Sequence, residues 1–134
     1  MKSLAVITER SIQALDVTDL VMAERWPDGW LIVTAPHTTA ALVIGENDPE
    51  MLEDYERVSA GLPAPFEPFK HHRNDNPNAA AHIISSFAGT QVILPVEDGR
   101  VMLGTWQRLI FIELDGPKTR TITCGSAAAQ QVGE

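Results

Sequence analysis

The sequence predicts an α+β fold, with helices on one side of a curved, mixed or mostly antiparallel sheet. Three observations carry that expectation. The second half is a series of short apolar runs at 91–96, 100–103, 108–114 and 118–124, punctuated by Asp98-Gly99 and Asp115-Gly116, dipeptides that favour tight hairpin turns. It reads as a meander of antiparallel strands. Helical periodicity is confined to stretches near 16–26, 49–60 and 78–88. Finally, Trp30 to Ala35 (WLIVTA) is almost continuously apolar, as suits a central strand buried on both faces.

Each element has a local reason. Residues 2–10 form a first strand, with Leu4, Val6 and Thr8 alternating against Ala5, Ile7 and Glu9. Residues 11–15 extend it or begin a second short strand. Asp16 or Thr18 caps a helix running to about Trp26, with Val17, Leu20, Val21 and Ala23 inward. Pro27-Asp28-Gly29 is a turn by composition. Pro36 ends the 30–35 strand, because proline has no N–H to give a ladder. Another strand follows at 40–44. Pro49 suits the first position of a helix to about Ala60, with Met51, Leu52, Tyr55 and Val58 on one face. Residues 61–69 hold three prolines and read as an irregular loop. Asn76 is a good N-cap and Pro77 a good first residue for a helix over 78–88, which Gly89 ends.

At 134 residues the chain is one domain, 1–134, by the usual size prior. Its net charge of −8 argues against nucleic-acid or anionic-membrane partners. No apolar run approaches the length of a membrane span, and the N-terminus lacks the features of a signal peptide. One cysteine, Cys124, excludes an internal disulfide and suits a reducing cytoplasm. It reads as a small buried hydrophobe. No GxxxxGK[ST] or GxGxxG loop occurs, and no base stands at informative spacing from Ser126, Cys124 or Thr38 for a nucleophile triad.

The chemistry concentrates in the histidines. Three of the four lie in the stretch HHRNDNPNAAAH, at His71, His72 and His82. Asn78 and His82 are four apart and share a helix face. The fourth, His37, falls just past an expected buried strand, a place well suited to facing a cleft. Together they form a candidate constellation, with Glu46, Asp75 and Asn78 to orient the rings. Three neutral imidazoles suit zinc or a similar divalent cation. The same histidines also suit acid–base work or phosphate binding, and the alternative to both is that they never meet. Trp106 and Gln107, after Gly104, interrupt the strand alternation and form a second candidate, an aromatic ring with an amide beside it. Trp26 and Trp30 read as structural.

Three blocks of these residues resemble one family. His37-Thr38-Thr39-Ala40-Ala41-Leu42, followed by Glu46-Asn47, Asp48-Pro49 and Asp54, is the first. Asn78 to Ile83 with Ser85-Ser86 is the second. The third is Gly104-Thr105-Trp106-Gln107 with Glu113, Asp115-Gly116-Pro117 and Arg120. In this order, spanning about Ser3 to Cys124, they resemble the YjbQ-like proteins, described as secondary thiamine-phosphate synthase-type. The sequence departs from the family pattern in three places. His71 and His72 compete for one histidine position, Arg108-Leu109 follows the TWQ, and Gly45 precedes Glu46.

The resemblance implies a sheet curved into a half-barrel or sandwich, a homotrimer with sites near or between subunits, and weak thiamine-phosphate synthase activity. That reaction joins a pyrimidine diphosphate to a thiazole phosphate. The site residues it implies are His37, Glu46, His82, Trp106 and Gln107 for catalysis. Thr38, Thr39, Asn47, Asn78 and Arg120 would hold a small phosphorylated substrate. His37, His72 and His82 would hold a divalent metal, zinc or magnesium, with His71 in reserve. The rival readings are a metal-dependent hydrolase of a phosphorylated or ester substrate and a non-catalytic trimeric metabolite-binding protein.

Overall fold

The computed structural model describes residues 1–71 and 77–133. In chain order the elements are β1 (Lys2–Ile7), β2 (Gln13–Asp16), α1 (Thr18–Met22), β3 (Gly29–Thr34), β4 (Ala40–Gly45), α2 (Pro49–Gly61), α3 (Ala79–Ala88), β5 (Gln91–Glu97), β6 (Arg100–Val101), β7 (Arg108–Glu113) and β8 (Thr119–Ala127). Two antiparallel sheets result, one of five strands in the order β1-β8-β3-β5-β6 and one of three in the order β2-β7-β4. This is the curled antiparallel α+β architecture that the sequence implies.

The layers follow from which face each strand buries. Val6, Leu31, Val33, Leu94, Val96, Ile122 and Cys124 point from the large sheet onto Leu42, Leu109 and Phe111 of the small one. The small sheet's other face carries Ala41, Ile110 and Ile112, and is covered by Ala81 and Ile84 of α3 with Leu52 and Tyr55 of α2. The small sheet is therefore the middle layer. Among the described residues no helix covers the outer face of the large sheet, where Ile7, Trp30 and Ile93 are exposed.

Several expectations change. The continuous apolar run at 30–35 is a one-sided strand, with Leu31 and Val33 inside and Trp30 on the open face. The strand buried on both faces is β7, read as a meander strand. Nor do β7 and β8 form a hairpin across Asp115-Gly116. They belong to different sheets, and the chain crosses between layers there. The Asp98-Gly99 turn does close the β5–β6 hairpin, with both residues at positive φ. β6 is only two residues long, shorter than the 100–103 expected.

The helices shift as well. α1 ends at Met22, short of Trp26, and its Leu20 and Ala23 face outward, so the burial rests on Val17 and Val21. α2 buries no residue fully, and Val58 is exposed. Asn78 is the N-cap of α3, placing Pro77 before the helix. The expected cap, Asn76, lies outside the described residues. Cys124 is buried, and that burial pushes its thiol pKa up. Among the described residues no helix is long and apolar enough to cross a membrane.

Candidate functional site

The site is built where β3 stops. After Thr34 the chain makes a three-residue turn around Pro36, whose fixed φ suits it, and the His37 N–H donates to the Ala35 carbonyl at 2.8 Å. The β3–β8 register pairs Thr34 with Thr123, so two further steps would set Pro36 opposite Thr121. Proline cannot serve that ladder position. The His37 imidazole takes it instead, with Nε2 2.9 Å from the Thr121 carbonyl oxygen and 3.1 Å from its amide nitrogen.

Beside it lies a buried ion pair. Glu113, the last residue of β7, is fully buried. Its carboxylate accepts from Arg120 Nε at 2.8 Å, Arg120 Nη2 at 2.5 Å and the Thr8 hydroxyl at 2.8 Å. The amides of Leu114 and Asp115 also donate to it. Burial pushes this carboxyl pKa up. The hydrogen bonds from Arg120, Thr8 and the Asp115 amide outweigh that and hold it below the ordinary glutamate value. Arg120 Nη2 also reaches the Thr39 carbonyl at 3.1 Å and the Thr39 hydroxyl at 2.8 Å. Nη1 has no protein partner among the described residues. The crossover must pass very close to the pair: a Cβ on Gly116 would sit 2.3 Å from the Arg10 carbonyl oxygen and 2.7 Å from Glu113 Cγ.

These groups border an open cleft of about 500 Å³, lined by Thr34, Thr38, Thr39, Thr90, His37 and Arg120 among others. Its surface is a set of hydroxyls, an imidazole and a guanidinium. The start of α3 joins the same end of the molecule, because Asn78 Nδ2 donates to Asp115 at 3.2 Å, as does Lys118 Nζ. One turn further along α3, the His82 ring meets His71 edge-on, their centroids 5.0 Å apart. His72, the favoured metal ligand, and Asp75 lie outside the described residues. Among the described residues no three His, Cys, Asp or Glu side chains come together to hold a metal.

The remaining candidates occupy the opposite end of the small sheet. β4 runs from Ala40, paired with Glu113, to Gly45, paired with Arg108, a span of about 17 Å. Beyond Gly45, the Glu46 amide donates to the Tyr55 hydroxyl at 3.1 Å, and the Asn47 amide donates to Asp16 at 2.9 Å. Arg108 donates to Asp16 at 2.7 Å and to Asp19 at 3.1 Å. Asp16 is pushed up by partial burial and held below its usual range by bonds from Thr18 and Arg108. The Gly104 amide donates to Gln107 Oε1 at 2.8 Å, and the Gln107 amide donates to the Gly104 carbonyl at 3.0 Å. This reciprocal lock presents Trp106, 74% exposed, at the tip. Within one chain, then, His37, Thr38, Thr39, Asn78 and Arg120 share one end, while Glu46, Asn47, Trp106 and Gln107 share the other.

Glu113 is the residue that reading from composition and spacing passed over. Its signal was a glutamate embedded in the apolar run RLIFIEL, where a buried acid demands a partner.

Two curled antiparallel sheets, with an open polar cleft at one end beside a buried arginine–glutamate pair, define a small α+β protein. The sequence model of the UPF0047 protein YjbQ-like family matches residues 2–128, and the chain belongs to that family. A UPF0047 protein of Archaeoglobus fulgidus is 41% identical over 120 residues, covering 89% of this chain and 94% of that one. Bacillus subtilis YugU is 37% identical over 127 residues, covering 90% and 94%. Among solved structures, a hypothetical protein of Aeropyrum pernix K1 superposes with a TM-score of 0.86 at 39% identity, covering 95% of this chain and 97% of that one. A YbjQ-like protein of unknown function from Sulfolobus solfataricus P2 gives 0.83 at 32% identity, covering 92% of each.

Proposed function

We propose that this protein is a cytoplasmic YjbQ-like enzyme that binds a small phosphorylated substrate at the His37–Arg120 end and has weak thiamine-phosphate synthase activity. The observation that carries the reading is Arg120, whose Nη1 has no partner among the described residues, at a cleft that also offers His37 and four threonines. Such a donor set matches phosphoryl oxygens. In the reaction, the thiazole nitrogen forms a bond to the pyrimidine methylene carbon as the carbon–oxygen bond to diphosphate breaks. Arg120 would stabilise the charge gathering on the departing pyrophosphate. The test is thiamine-phosphate formation from the two substrates with magnesium present. His82→Ala is expected to abolish it, and unchanged turnover would remove His82 from the site.

The split between the two ends supports a homotrimer as the working form. Head-to-tail copies would bring the Trp106 and Asn47 end of one beside the His37 end of the next. Sedimentation at micromolar concentration tests this, and a monomer would refute it.

A second reading, a metal-dependent hydrolase, draws on the His71–His82 pair. Among the described residues no three His, Cys, Asp or Glu side chains come together as a ligand set. Metal content of the wild type beside His82→Ala decides between them. Near-stoichiometric zinc lost in the variant favours the hydrolase, and no metal in either favours the synthase.

A further inference from the structure

His37 faces Thr121 in an arrangement that a fixed structural histidine does not need. Both main-chain groups of Thr121 lie within hydrogen-bond distance of the same ring nitrogen, the carbonyl oxygen at 2.9 Å and the amide nitrogen at 3.1 Å. One imidazole nitrogen serves only one of them at a time. If Nε2 carries the proton, it donates to the carbonyl, and Nδ1 is a lone-pair acceptor. If Nε2 is bare, it accepts from the amide, and Nδ1 carries the proton as a donor. Each neutral tautomer keeps one hydrogen bond to β8 and leaves the other Thr121 group without its imidazole partner, so the two states carry costs of the same kind. Nδ1 has no protein partner among the described residues, and the ring lines the cleft. Arg120, by contrast, is held to Glu113 and Thr39 and can only donate.

We propose that His37 is a two-mode group, presenting Nδ1 to the ligand as donor or acceptor while Thr121 satisfies Nε2 in either state. The cleft then pairs one permanent donor, Arg120, with one reversible partner. The ligand class this fits is a phosphoryl group carried in either ionisation state. A dianionic oxygen accepts from Nδ1–H, and a protonated P–OH donates to bare Nδ1. The inference rests on the reading of this cleft as the phosphate site, and the experiment separates the two.

The test is two-bond nitrogen–proton NMR on full-length protein labelled at histidine nitrogens, recorded over a pH series. Inorganic phosphate is the probe, and loss of signals in His37→Gln assigns the ring. The expected result is a pair of His37 nitrogen shifts averaged between the two pure-tautomer positions. Saturating phosphate should drive them to the Nδ1–H form. A single tautomer, unchanged by bound phosphate, would overturn the proposal and leave His37 as a cap on the β8 ladder. Averaged shifts without any phosphate binding would uphold the two-mode histidine and sink the phosphate reading instead.

Discussion

Each end of the small sheet carries an arginine paired with acids, in opposite surroundings. At the His37 end, Arg120 and Glu113 are 7% and 0% exposed at their side chains. The Arg120 and Thr8 bonds to Glu113 are short, 2.5–2.8 Å, and two main-chain amides complete the set. At the Trp106 end, Arg108 is one-third exposed and shares its charge between a nearly buried Asp16 and a solvated Asp19. The same chemical pair does two jobs. Buried, it freezes a guanidinium so that one nitrogen is presented at a fixed place. Half-solvated, it pins the base of a turn whose cargo, Trp106, stands out in water.

Breaking each pair should expose that difference. Arg120→Ala strands a buried carboxylate and is expected to cost about 3–5 kcal/mol in denaturant unfolding. Replacing both partners, as Arg120→Met with Glu113→Gln, keeps an acceptor for the Leu114 and Asp115 amides and should recover part of that stability while still losing phosphate binding, which separates the fold role from the site role. If the double variant stays as unstable as the single one, the charge itself holds the fold. Gly116→Ala comes next, at about 1–3 kcal/mol, because its Cβ meets backbone and the Glu113 stem.

Acid titration sharpens the comparison. Glu113 has a folded pKa below its unfolded one, so its stabilisation is complete above about pH 4.3 and is lost as pH falls through the folded value. Asp16 behaves with the same sign. Stability measured against pH is therefore expected to drop below that range. Glu113→Gln should flatten the drop more than Asp16→Asn does, and equal flattening would contradict the ranking by burial. Arg108→Ala should cost about 1 kcal/mol or less. Trp106→Ala should leave stability within about 0.5 kcal/mol and act on sedimentation instead. A variant that sediments like the wild type would remove Trp106 from any subunit contact.

Much of this was legible locally. Proline, glycine and Asp-Gly positions marked where strands and helices stop, since those residues constrain the backbone whatever surrounds them. Pro36 both ended β3 and placed His37. The histidines stood out by their clustering and by the place of His37 after an apolar strand, and the resemblance brought in Arg120. Faces were less legible. WLIVTA and RLIFIEL are equally apolar, yet only the second is covered on both sides. A run of hydrophobic residues says that burial is available, and the packing of other layers decides whether it happens.

The chain's residue order alone determined the class of fold, the strand breaks, the glycine-dependent turns and family membership, because each depends on short-range sterics or on matched sequence. Only the tertiary structure decided that β7 and β8 part into different sheets, that Glu113 and Arg120 meet, and that the candidate residues divide between two ends. Those facts depend on contacts between residues far apart in sequence, such as Thr8 with Glu113 and His37 with Thr121. Hydrophobic burial is non-directional and carries no label for its partner. The crossover at Gly116 and the hydrogen-bond demands of a buried carboxylate selected them.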